Sequence, residues 1–101
     1  MVYQVTWSER ALEDLKNIVD HIRKDDPETA ERFGQRLIDA ADSLSHLPER
    51  GRMIPKFRDP FLRDILVGPY RVAYRIQDQT TPKVQIARLW HGARAPESYS
   101  F

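Results

Sequence analysis

Apolar residues recur at helical spacing twice in the first half of the chain and at strand spacing in the second. Ala11, Leu12, Leu15, Ile18, Val19 and Ile22 fall on one face of a helix of about 15 residues, with Glu13, Asp14, Lys16 and Asp20 outside it and Ser8 placed to cap its N-terminus. Asp25-Asp26-Pro27 then stops one helix and starts another: the residue before a proline resists the α region, Asp26 can cap, and Pro27 suits a first helical turn. Ala30, Phe33, Leu37, Ile38, Ala41, Leu44 and Leu47 mark the second amphipathic helix, which ends before Pro48. So tight a link predicts an antiparallel helical hairpin. Val2 to Trp7, rich in β-branched and aromatic residues, reads as a short strand ahead of it.

The stretch from Pro48 to Pro60 is broken by proline and glycine, rich in cations and without usable period, and reads as a basic loop. Leu62 to Leu66 and Tyr70 to Ile76 read as two strands around a Val67-Gly68-Pro69 turn, and Val84 to Trp90 as a last strand after the polar loop 77–82. In the second of these Tyr70, Val72, Tyr74 and Ile76 face one way and Arg71, Ala73 and Arg75 the other, so one face packs and the other presents arginines. The order βααβββ predicts an α+β fold, with the helical hairpin packed on a small antiparallel sheet and all of 1–101 in one domain. Its expected core is Leu12, Leu15, Ile18, Ile22, Phe33, Leu37, Ala41 and Leu44 against Val72, Tyr74, Ile76 and Ile86.

Composition narrows the class. With 101 residues the chain is too short for a cofactor domain plus a substrate domain. At 41% apolar and 31% charged it has the balance of a soluble globular protein, with no run near the ~20 residues that span a bilayer. The N-terminus lacks a basic region followed by an apolar stretch, so a cytoplasmic location is expected. There is no cysteine, and His21, His46 and His91 are widely separated, so no metal site and no cofactor are expected. The net charge of +1 conceals two opposed halves: residues 1–49 carry six Lys or Arg against eleven Asp or Glu, and residues 50–101 carry ten against four. The basic half could receive phosphates or an acidic partner, or could simply be a solvated face balancing the helices.

His91-Gly92-Ala93-Arg94 closes the last strand. A histidine can move a proton and an arginine three residues on can hold a phosphate, a pairing that suits phosphodiester chemistry, although a histidine beside a tryptophan can equally pack or cap a strand end. Arg63, Arg71 and Arg75 either form a cationic partner-binding surface or keep one sheet face wet.

Four separated blocks carry a resemblance: Trp7-Ser8-Glu9-Arg10-Ala11 with Asp14-Leu15, then Pro48-Glu49-Arg50-Gly51, then Pro69 to Ile76, then Ile86 to Arg94. In this order and spacing they resemble the RelE/ParE superfamily of bacterial type II toxins over about residues 2 to 95. The resemblance implies a βααβββ toxin that arrests growth or stabilises a plasmid, neutralised by a cognate antitoxin. It also implies one of two targets, or else a divergent member acting mainly as an antitoxin-binding or regulatory protein. RelE-like members cut mRNA on the ribosome without a metal. ParE-like members poison DNA gyrase and have no nuclease site. Under the nuclease alternative the catalytic candidates are Arg71, at the position of the phosphate-binding strand arginine, with Arg94, His91 and Tyr99. Where RelE has two lysines on the preceding strand, this chain has Leu62 and Asp64, and the ParE-like reading is preferred for that reason.

Overall fold

The computed structural model describes residues 2–77 and 80–94. Its elements are β1 (Gln4–Trp7), α1 (Glu9–Arg23), α2 (Pro27–Asp42), β2 (Arg52–Met53), β3 (Leu62–Val67), β4 (Tyr70–Gln77) and β5 (Lys83–His91), with 3-10 turns at Ser43–Ser45 and Pro48–Arg50. The five strands form one sheet in the order β1-β5-β4-β3-β2, and the helical hairpin lies against one of its faces.

Both helices start where the caps were expected. The Ser8 side chain accepts from the Ala11 N–H at 3.0 Å. Asp26 accepts from the Glu28 and Thr29 N–H groups and from the Thr29 hydroxyl, and that hydroxyl above all holds its carboxyl below the usual carboxylate range. The second helix stops at Asp42, earlier than the apolar pattern suggests. A 3-10 turn then carries Leu44 into the core and leaves Leu47 exposed. Leu12 is likewise corrected: it is 52% exposed, and Ala11, fully buried, takes its place. The stripe that meets the sheet runs through Ala11 and Ile18, and Leu12 lies about 100° round from Ala11. The remaining core is as expected, with Leu37, Leu44, Val72, Tyr74 and Ile86 sealed and Leu15, Ile22 and Phe33 packed at its rim.

β3, β4 and β5 make the expected antiparallel meander. Two features go beyond it. β1 joins β5 in parallel, Gln4 opposite Lys83 through Trp7 opposite Ile86, so the sheet is mixed. The stretch expected as loop contributes β2, antiparallel to β3. What draws that segment in is apolar: Ile54, wholly buried, packs with Phe57, Leu62, Ala73 and Trp90 on the face away from the helices. That face is therefore partly a second core. Ala73, expected among outward-facing arginines, has no exposed surface.

A register shift between Ala73 and Tyr74, opposite Arg88 and Ile86 respectively, leaves Ala87 as an extra residue in β5. This bulge reverses the strand's alternation, which is why Ile86 and Leu89 both reach the main core. Gly68 supplies the positive φ of 56° for the β3–β4 turn, where a side chain would also press on the Phe33 ring. Gly51 permits a close approach: a Cβ there would sit 2.5 Å from the Tyr74 hydroxyl oxygen.

Candidate functional site

Strand alternation puts Leu62 and Asp64 on the outer face of β3, and both are buried. Asp64 lies opposite Arg52 of β2 and Ala73 of β4. Its Oδ1 accepts from Arg52 Nε at 2.9 Å and from Arg71 Nη1 at 3.3 Å, and its Oδ2 accepts from Arg52 Nη2 at 3.3 Å. The Asp64 side chain is wholly buried while Arg71 and Arg52 remain 25% and 44% exposed. A shallow cleft of about 380 Å³ opens over this cluster, with Arg50 and Leu66 on its walls. The hydrogen bonds to Asp64 raise the pKa of Arg52 above its usual value, so its charge is fixed. The cluster can hold anions at its rim. Its one carboxylate is engaged by two guanidinium groups.

His91 sits elsewhere. It pairs with Tyr70, and Arg71 pairs with Trp90, so alternation sends His91 toward the helix side and Arg71 to the outer face. The imidazole meets the Tyr70 ring edge-on with centroids 5.4 Å apart, and its Nδ1 accepts from the Ala93 N–H at 3.1 Å. That bond leaves the neutral ring's proton on Nε2 and makes His91 a cap for the turn after β5. Arg94 closes the same turn through its backbone N–H to the His91 carbonyl, and its side chain borders a cleft of about 470 Å³ with His21, His91, Asn17 and Arg88. The structure thus brings His91 and Arg94 to one cleft, while Arg71 leaves the sheet on the face opposite His91. Tyr99 lies outside the described residues.

The same cleft holds residues that sequence reasoning passed over. β1 pairs with β5 only as far as Ile86, leaving the rest of that edge open, and Asp14 of α1 covers it. Its Oδ2 accepts from the Leu89 N–H at 2.9 Å and from Arg88 Nε at 2.8 Å, while the Ser8 hydroxyl donates to the Ala87 carbonyl at 2.9 Å. Asp14 is therefore not on the outer helix face. The signal was its spacing, three residues after Ala11 and four before Ile18, the two buried residues of α1.

The three arginines expected to bind a partner differ in their surroundings. Arg63 donates to the carbonyls of Pro60, Gly51 and Glu49 and so braces the segment between α2 and β3. Arg71 is held by Asp64. Arg75 lies on the outer face beside Phe61 and Lys83. The Tyr74 hydroxyl completes the brace, donating to the Pro48 carbonyl at 2.6 Å and accepting from the Gly51 N–H at 2.9 Å. Burial pushes this phenol's pKa up, and the Gly51 N–H and the cations Arg63 and Arg50 partly oppose it. Among the described residues no cluster of three His, Asp or Glu could hold a metal ion, and no helix is long and apolar enough to cross a membrane.

Residues 5–96 match the family described as the ParE toxin of the type II toxin–antitoxin system parDE. The chain belongs to the ParE toxin family. It is 42% identical over 92 residues to Toxin RelE2 of Caulobacter vibrioides, covering 90% of this chain and 97% of that one. It is 32% identical over 96 residues to Toxin RelE1 of the same organism, covering 91% and 96%. Among solved structures, the chromosomal ParDE toxin–antitoxin system of P. aeruginosa superposes with a TM-score of 0.71 at 22% identity, covering 89% of this chain and 96% of that one, which is a likeness of fold. The toxin–antitoxin complex RelBE2 of Mycobacterium tuberculosis gives 0.61 at 28% identity, covering 90% and 99%. This ParE-family chain is thus a type II toxin of the RelE/ParE superfamily, with two helices on a five-stranded sheet.

Proposed function

We propose that this toxin arrests growth by inhibiting DNA gyrase, has no nuclease activity of its own, and is neutralised by a cognate antitoxin. One observation carries the reading. At the strand positions where RelE has two lysines, this chain buries Leu62 and Asp64, and the Asp64 carboxylate engages Arg71. The buried Asp64 carboxylate partly neutralises Arg71 from beneath, and Leu62 offers no base to take the 2′-hydroxyl proton of a strand brought there. The antitoxin reading draws support from the two structural neighbours, a ParDE toxin–antitoxin system and a RelBE2 toxin–antitoxin complex, and from the basic half of the chain. Arg71 and Arg75 on the outer face are offered to an acidic partner segment, with Arg63 holding the loop beneath them.

A ribosome-dependent endoribonuclease is the second reading, supported by the names of the Caulobacter relatives and by His91 beside Arg94 at an open cleft. Overexpression separates the two. Gyrase inhibition predicts DNA breaks and an SOS response with intact mRNA, and the nuclease reading predicts cleaved ribosome-bound mRNA with no SOS response.

A further inference from the structure

Gln77 and Lys83 pair at the opposite end of the β4–β5 ladder from Tyr70 and His91, and a cleft of about 430 Å³ opens there. Arg75 lies opposite Gln85, so Arg75 and Lys83 are diagonal neighbours on the outer face. Among the described residues neither makes an ion pair. Next to them stands Phe61, 47% exposed, fastened to β4 by the bond from the Ile76 N–H to its carbonyl at 2.7 Å. Thr80 and Thr81 add hydroxyls at the lip.

A half-exposed aromatic residue, two cations and two hydroxyls around one cleft ask for a ligand with both a flat π face and an anionic end. A simple carboxylate leaves the ring unused, and an apolar molecule leaves the cations unused. The volume falls within the range of about 300–1,000 Å³ usual for small-molecule sites. We propose that this cleft binds a nucleotide, with its base stacked on Phe61 and its phosphates held by Arg75 and Lys83. The nucleotide is either free or part of a single strand, since both carry the same chemistry. The inference does not rest on the gyrase reading. Arg75 is also offered to the antitoxin above, so binding is measured on the free chain.

Calorimetry at low salt compares ATP, adenosine, pyrophosphate and a tetraadenylate lacking terminal phosphates. ATP is expected to bind about tenfold or more tightly than adenosine or pyrophosphate, because only ATP engages both halves of the site. Phe61→Ala should weaken it about fivefold or more, the range for a lost stacking partner. Arg75→Glu and Lys83→Glu should each weaken it about tenfold, and Arg10→Glu, an equal charge change on α1, by less than about twofold. Tighter binding of tetraadenylate with the same variant pattern assigns the site to a strand, and weaker binding assigns it to free nucleotide. Circular dichroism confirms that each variant is folded. Pyrophosphate binding as tightly as ATP, affinity indifferent to all three cleft variants, or no binding of ATP or tetraadenylate overturns the proposal.

Discussion

A single carboxylate decides how the outer face of the sheet behaves. Asp64 sits in the middle of an apolar strand, Leu62 to Val67, and its burial is tolerable only because Arg52 and Arg71 satisfy it. Asp64→Ala is expected to destabilise the fold by about 1–3 kcal/mol in urea titration, less than the loss of a fully buried pair because both arginines reach water. The Tyr74 hydroxyl is a second such point. Tyr74→Phe leaves the Pro48 carbonyl and the Gly51 N–H without this partner and should cost about 1–3 kcal/mol. It should also change the alkaline limb of stability. With the folded pKa raised, the phenol's contribution is full below the unfolded pKa of about 10 and is lost as pH climbs toward the folded value, so the wild type should lose stability more steeply than the variant above about pH 10. At the third point, His91, the imidazole caps a turn. On the gyrase reading His91→Gln should keep its toxicity in cells, whereas loss of a general acid or base would slow cleavage by about 10²–10⁴-fold. In the sequence Asp64 stands between Leu62 and Leu66 at strand spacing. Its partners were not legible there, since Arg52 lay in a stretch with no period to reveal a strand.

The helices and the three-strand meander were legible because each repeats one period long enough to be counted. Leu37 sits where the two patterns meet, with no exposed surface, and Leu37→Ala should cost about 2–5 kcal/mol by chemical denaturation. Elements defined by pairing rather than period escaped the pattern. β2 is two residues long and exists through its ladder to β3 and the burial of Ile54, and the Ala87 bulge reverses alternation with no turn residue to announce it. Asp14 joins two elements whose partnership no local pattern encodes. It protects the open edge of β5 beyond its pairing with β1. In Asp14→Ala the Leu89 amide loses its acceptor and Arg88 its anion, so hydrogen exchange at Leu89 should accelerate well beyond that of amides in the β3–β4 ladder. Unchanged exchange at Leu89 would show that the edge is held by packing alone.

Across the whole molecule the acidic half of the sequence forms β1 and the helical hairpin, and the basic half supplies strands β2 to β5. A field divided in this way favours encounter with an acidic partner over one face. Arg71→Glu combined with Arg75→Glu should slow antitoxin association at low salt with a smaller effect at high salt; an unchanged rate at both would remove electrostatics from the interaction. The candidate nuclease groups show the limit of reading sites from sequence. His91 and Arg71 lie close on paired strands, with Arg94 in the turn after β5, yet alternation places Arg71 on the face opposite His91, and only the register reveals it. The most direct measurement adds the purified chain to DNA gyrase, ATP and relaxed plasmid. Inhibited supercoiling, with double-strand breaks covalently linked to gyrase, is the predicted result, and undisturbed supercoiling at a large molar excess of toxin would contradict it.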